Sequence, residues 1–433
     1  MPIIEGGFDI PLPHMMRVRQ LFSRPQVASI ADTVRREIRR PEVAALIKPG
    51  ARVALGVGSR GIAGILPLVQ AAVSTVKELG AHPFIVPAMG SHGGATDDGQ
   101  REALASYGIT EQSVGAPVLS SMQTVLLGET PSGVPVYFDR NAYGADAVVP
   151  INRVKLHTDF RGPVESGLCK MLAIGFGKHK GATVLHSFGF DQFAELIPQA
   201  ARVVLDRAPI AFGLAVVENA YDEAAEICAV PAAEILTAEP ALLQQAASLM
   251  ARILFDPIDL LIVDEIGKDV SGAGMDPNII GRFSVQGKGR LPDQIGPRVS
   301  RIAALDLTDN THGNAMGVGD ADVTTRRLVG KINWEHTYAN VIASTVLESG
   351  RIPLTMENDR QAIVVALRSC SRVDPARARI VRIKNTLEIG EIMISEPMCE
   401  EARRMGTIKI IGELAPLAFD AGGDLPKFQV TRT

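Results

Sequence analysis

Short apolar runs that end in glycine-rich, polar loops recur along this chain, alternating with stretches of helical periodicity. Arg52–Gly58 (RVALGVG), His82–Ala88, Ala145–Ile151, Ile210–Val217 and Ile258–Val263 are such runs. Between them, 62–79, a segment opening at Thr96 or Asp97, 192–205 and 232–253 carry apolar residues at helix spacing. A short unbroken apolar run bounded by glycine reads as a strand buried on both faces, as a parallel sheet requires. Parallel neighbours need a crossover, and the intervening helices supply it. The expected fold class is therefore α/β, with parallel sheets and crossover helices. Later segments continue the pattern, with strands expected at 301–306, 363–368, 379–383 and 407–411 and a helix at 335–347. Residues 1–50 read as an arm or capping element with a helix near 27–46.

A chain of 433 residues exceeds what one hydrophobic core usually serves. Two domains are expected: an N-terminal one over 1–255 and a C-terminal α/β one over 256–433, with the active site in the cleft between them. The net charge of -4, with basic residues dispersed, gives no footprint for nucleic acid or an anionic membrane. No segment approaches the ~20 apolar residues of a membrane helix, and the N-terminus lacks a signal-peptide pattern. Cys169, Cys228, Cys370 and Cys399 form no CxxC pair and read as reduced thiols. The expected compartment is the cytoplasm.

In open α/β sheets, ligands bind in the loops after the strands. Four such loops carry polar residues beyond what a connection needs: Gly56–Gly64, Gly90–Asp98, Asn152–His186 and Lys268–Arg282. The first contains Gly56-Val57-Gly58-Ser59-Arg60-Gly61, a GxGxxG pattern. A dinucleotide site would want an acidic residue ending the next strand, but that strand ends Ala88-Met89-Gly90. The loop reads otherwise as an anion site, with helix N-terminal amides and the Arg60 fork, or as a plain tight turn. In the second, His92 stands among Gly90, Ser91, Gly93 and Gly94, small neighbours that leave an imidazole accessible. The third gathers His157, Lys170 and His186 with Lys155, Asp159, Arg161 and Glu165. A shielded lysine serves as nucleophile or covalent anchor, and histidines serve as metal ligands or acid/base groups. His179, in Gly177-Lys178-His179-Lys180-Gly181, reads as an exposed basic turn, and Cys169 as a small buried thiol. Asp306, Asp309 and His312, with Glu335 and His336, read as capping residues in preference to a second metal site.

Taken together and in order, these spacings resemble the nickel-dependent lactate racemase family. Ser166-Gly167-Leu168-Cys169-Lys170 resembles the SGGAK-like segment whose lysine holds a nickel pincer nucleotide derived from nicotinic acid, and His186 stands sixteen residues after Lys170. The resemblance implies that this cofactor, nickel pyridinium-3,5-bisthiocarboxylic acid mononucleotide, is held by Lys170 with Gly58 and Ser59. It implies His186 as nickel ligand, His92 in a GxH loop and His157 as paired acid/base groups, and Arg60 on the substrate carboxylate. Gly272-Ala273-Gly274-Met275-Asp276-Pro277-Asn278 resembles the family's GGxPxDxN loop. Departures are visible: Val57 stands where the family has aspartate, and the interval from His157 to Lys170 is three residues longer. Gly281 and Ser284 occupy the places of a substrate-holding glutamine and lysine, with Arg282 beside them as a substitute.

The implied activity is a racemase or epimerase of a small 2-hydroxy acid, an isomerase working by reversible hydride transfer to the pincer carbon. Its implied partners are the hydroxy acid and the cofactor's biosynthetic enzymes, with neither nucleic acid nor membrane. Two other readings stand beside it: a nicotinamide-dependent hydroxyacid dehydrogenase, and a non-catalytic protein that binds a metal or small acid.

Overall fold

The computed structural model describes residues 5–58, 61–283 and 295–430. The chain divides into two compact units, Ser23–Met250, and Met1–Phe22 together with Ala251–Thr433. No helix among the described residues is long and apolar enough to cross a membrane.

The Ser23–Met250 unit is built on five strands in the order His82–Pro87, Arg52–Val57, Ala147–Arg153, Phe212–Glu218 and Ala224–Pro231. The first four run parallel; the last returns antiparallel. Helix Ile65–Glu78 crosses between the first two strands in sequence and buries Leu68, Val69, Ala72, Val73 and Val76. Helix Asp97–Ser106 starts where expected, because the Thr96 hydroxyl accepts the Gly99 N–H.

Side chains alternate across a strand, and here the two faces have different partners. Val53, Leu55 and Val57, with Phe212, Leu214 and Val216, enter one core together with helix Ile65–Glu78. The opposite face presents Gly56 and Gly213 to the segment that follows Ser166. A Cβ on Gly56 would stand 2.1 Å from Phe176 Cζ, and one on Gly213 would stand 2.5 Å from Leu168 Cδ1. Phe176 is buried and stacks on Phe138 with centroids 4.9 Å apart. Two missing methyl groups thus let the run Leu168–His186 lie directly on the sheet. That run begins as a helical turn, widens into a π-helix over Met171–Gly175, and resumes as helix Lys178–His186. Such π segments recur at functional sites.

The second unit has an eight-stranded sheet. Leu354–Met356, Val323–Thr325, Val299–Ala304, Ile258–Val263 and Ile380–Ile383 run parallel, in that order. Glu391–Ser395, Met15–Gln20 and Ile408–Ile410 extend it antiparallel. Residues 1–22 group here, not with the residues that follow them, because Met15–Gln20 is paired on both edges in this sheet. The strand expected over 363–368 is instead helix Asp359–Arg368. Asn358 caps it, and Ala362, Ile363, Ala366 and Leu367 are buried at helix spacing. A short apolar run does not by itself distinguish a strand from a buried helix.

Gly56→Ala is expected to cost about 1–3 kcal/mol through overpacking against Phe176, read from urea unfolding. Phe176→Leu in the same chain should restore part of that loss. A Gly56→Ala protein as stable as the parent would contradict the packing described.

Candidate functional site

Beyond strand Ala147–Arg153 the chain makes a closed loop. Lys155 and Ser166 exchange backbone hydrogen bonds of 2.8 and 3.1 Å, pinching off the residues between them. Glu165, buried at the base, organises the loop from inside. Its carboxylate accepts the His157 N–H at 2.6 Å, the Gly162 N–H at 3.3 Å and Arg161 Nη1 at 3.2 Å. Burial pushes the Glu165 carboxyl up, and the Arg161 charge and the loop amides oppose this. Arg161 also donates to the carbonyls of His157 and Phe160. The backbone at His157 is therefore fixed from both sides.

The imidazole of His157 is buried, and both of its nitrogens are engaged. Nδ1 meets Asp159 twice, taking its backbone N–H at 3.0 Å and standing 3.5 Å from its carboxylate. Nε2 lies 2.5 Å from Lys170 Nζ. With Nδ1 taking the Asp159 N–H, the proton of the neutral ring falls on Nε2, within reach of Lys170 Nζ.

His186 ends the helix Lys178–His186. Its Nδ1 is 2.6 Å from the Ala182 carbonyl, which can only accept, so Nδ1 carries the proton. The lone pair of the neutral ring is thereby assigned to Nε2, the arrangement typical of metal-ligating histidines. Burial pulls the His186 pKa down; the Ala182 hydrogen bond opposes this, and the nearby Lys170 charge adds to it. Phenylalanine rings join the two histidines. His157 packs on Phe160 and Phe190 at centroid distances of 4.6 and 5.9 Å, and His186 on Phe190 and Phe193 at 5.7 and 5.3 Å. His157, Lys170 and His186 thus come together in one unit, around an aromatic cluster that sequence reading missed. The intervals of four and seven residues from His186 to Phe190 and Phe193 were the available signal.

The turn bearing Lys170 has a hidden anchor. Glu239, wholly buried on helix Ile235–Leu249, accepts the Cys169 N–H at 2.8 Å. Gly167 leaves it room, since a Cβ there would stand 2.2 Å from Glu239 Oε1. Burial pushes the Glu239 carboxyl up to about 7, against the hydrogen bonds it accepts from Cys169 and Leu168. The Cys169 thiol is buried and shifted strongly upward by desolvation and by Glu239, as expected of a packing thiol and not a nucleophile.

The other expected residues are distributed as follows. His92 is exposed, in a loop tied to the π-helix by the Gly90 N–H to Gly175 O hydrogen bond of 3.0 Å. Gly58 lies against the same segment, where a Cβ would stand 3.3 Å from Met171 Cε. Ser59, Arg60 and Ser284 lie outside the described residues. Arg282 has a different role from the one expected. It is buried in the second unit, where its guanidinium donates to the Asp322 carboxylate at 2.7 Å and the Asp320 carbonyl at 2.8 Å, so it is already committed. Asp276 and Asn278 of the glycine-rich loop serve a local cap, the Asn278 N–H donating to Asp276 Oδ1. Asp306 pairs with Lys331 at 2.9 Å and Arg327 at 3.4 Å. His179 is exposed as expected, but Lys178 beside it is completely buried.

No family model and no curated protein sequence matches this chain. Solved structures do. The lactate racemase apoprotein from Thermoanaerobacterium thermosaccharolyticum aligns with a TM-score of 0.52 at 14% identity, over 86% of this chain and 98% of that one. This chain has its fold. A Thermotoga maritima protein of known crystal structure aligns with a TM-score of 0.51 at 12% identity, over 84% and 98% of the two chains. The α/β class expected from the sequence is the observed one.

The donor set can be tested against the group that the family resemblance implies. Among the described residues, no three His, Cys, Asp or Glu side chains gather as a metal cage. A metal on His186 would need its remaining donors from the group that carries it, and a pincer nucleotide brings such donors. One histidine with its lone pair assigned, and a lysine close enough for its charge to act on that ring, fit that requirement.

Glu239 gives a pH test of the anchor. Its pKa of about 7 in the fold lies above the ordinary 4.5, so between those values the folded chain keeps a proton the unfolded chain has released. That stabilisation is full below the lower value and is lost as pH rises through the upper one. Glu239→Gln removes the titration. Its stability relative to the parent should therefore rise by roughly 3 kcal/mol from acidic to mildly alkaline pH. Urea midpoints that stay parallel for the two proteins would contradict the assignment.

Proposed function

We propose that this chain is an isomerase, a racemase or epimerase of a small 2-hydroxy acid, and a member of the nickel-pincer lactate racemase family acting in the cytoplasm. The observation that carries the reading is the convergence of His157, Lys170 and His186 in one unit. The shared fold supports it. In this reading Lys170, Gly58 and Ser59 hold the nickel pincer nucleotide, made by dedicated biosynthetic enzymes, and His186 Nε2 ligates its nickel. When bound, that group supplies a reversible acceptor for the hydrogen on the carbinol carbon.

The chain's own residues do the rest. In this role the His157 ring proton sits on Nδ1, facing the Asp159 carboxylate in place of the Asp159 N–H contact, and Nε2 takes or returns the hydroxyl proton once Lys170 is engaged by the cofactor. Asp159, 3.5 Å from Nδ1, steadies the cation formed. Buried Glu165 and Arg161 hold His157 still while it does so. His92 performs the same proton transfer for the opposite enantiomer, and an imidazole suits both directions because its pKa lies near neutrality. Arg60 grips the carboxylate through its planar fork. Phe160, Phe190 and Phe193 exclude water around His157 and His186, which strengthens the electrostatic interactions between them.

The test is stereochemical inversion across a panel of hydroxy acids, with protein co-produced alongside the cofactor's biosynthetic enzymes. Nickel-dependent inversion is expected, falling roughly 100-fold or more in His92→Ala and His157→Ala. His186→Ala should lose nickel, and Lys170→Ala the cofactor. Protein that loads nickel and cofactor yet inverts no member of the panel, or protein that loads neither, would overturn the reading.

A further inference from the structure

Lys178 is fully buried at the start of helix Lys178–His186, with a positive φ of 54° that side chains other than glycine rarely adopt. The polar groups that meet its Nζ among the described residues are acceptors. Nζ donates to the Pro87 carbonyl at 2.7 Å and to Gln100 Oε1 at 2.6 Å, and stands 3.5 Å from Asp139 Oδ2. Three acceptors around a group with three donors match an ammonium. Burial pulls the Lys178 pKa down and pushes that of Asp139 up, while their mutual attraction opposes both shifts.

The contact with Gln100 has a consequence beyond Lys178. Lysine can only donate, so Gln100 must turn its oxygen to Nζ, and its amide NH2 must point the other way. There it donates to the Gly90 carbonyl at 2.9 Å and the His92 carbonyl at 3.2 Å. Gln100 is itself completely buried. A charge on the helix that ends in His186 thereby orients an amide that grips the loop bearing His92.

We infer that Lys178, acting through Gln100, is a positioning residue for His92. The inference rests on the reading of His92 as an acid/base group, but its structural half is testable without turnover. Gln100→Glu keeps the size and the contact with Lys178, yet turns an oxygen without a donor towards two carbonyls. Lys178→Met removes the orienting charge.

Hydrogen exchange of the full chain, followed by mass spectrometry, tests the coupling. In both variants amides 88–95 should exchange roughly tenfold faster or more, while segment 166–176 keeps its rate. Should Lys178→Met fail to fold, the isosteric Gln100→Glu decides alone. Exchange unchanged at 88–95, or raised equally at 166–176, would overturn the inference. In turnover, Gln100→Glu should lower kcat roughly tenfold with KM held within about twofold. Faster exchange with an unchanged kcat would remove the link to His92 chemistry. If the parent inverts no hydroxy acid, the functional proposal fails, and the exchange data still decide whether Lys178 positions the loop.

Discussion

The close approach of Leu168–His186 to the parallel sheet, at Gly56 and Gly213, is the contact on which the rest of the site depends. With Phe176 seated on Gly56 and Leu168 on Gly213, the segment has almost no freedom to slide or roll. Lys170 is two residues beyond the Leu168 contact, and His186 ends the helix that follows Phe176. Their placement is thus inherited from packing, and packing of this density resists small shifts. The π-helix over Met171–Gly175 lies between the two contacts and changes the rotational register between Lys170 and His186.

Around this packed segment the fold places ionisable groups where water cannot reach them. Glu165, Glu239 and Lys178 are each buried, and each acts on backbone groups: Glu165 on the amides of His157 and Gly162, Glu239 on the amide of Cys169, Lys178 on the carbonyl of Pro87. Burying a charge is unfavourable unless hydrogen bonds compensate. Three such groups around one centre trade stability for placement: one holds the His157 loop, one the Lys170 turn, one the His92 loop.

Much of this was legible in the sequence, and the parts that were not share a cause. Ile258–Val263 and the Thr96 cap could be read because apolar runs and capping residues act locally. The grouping of His157, Lys170 and His186 in one segment was visible as spacing. Glu239 was not, because its partner Cys169 lies seventy residues away and no local pattern links them. Lys178 was misleading for a related reason: in Gly177-Lys178-His179-Lys180 it looks like its exposed neighbours, and only the tertiary contacts with Pro87, Gln100 and Asp139 bury it. The strand Met15–Gln20 went unrecognised because its partners, Glu391–Ser395 and Ile408–Ile410, lie at the other end of the chain. Arg282 was assigned a ligand that its own unit supplies as Asp322.

The central claim is that His157, Lys170 and His186 form one preorganised centre in which His186 offers Nε2 as a ligand. Imidazole nitrogen NMR of the 15N-histidine-labelled protein at neutral pH tests it most directly. The account predicts a neutral His186 ring protonated at Nδ1, with Nε2 bare, and a signal that His186→Gln removes. A ring protonated at Nε2, or an imidazolium at that pH, would contradict it.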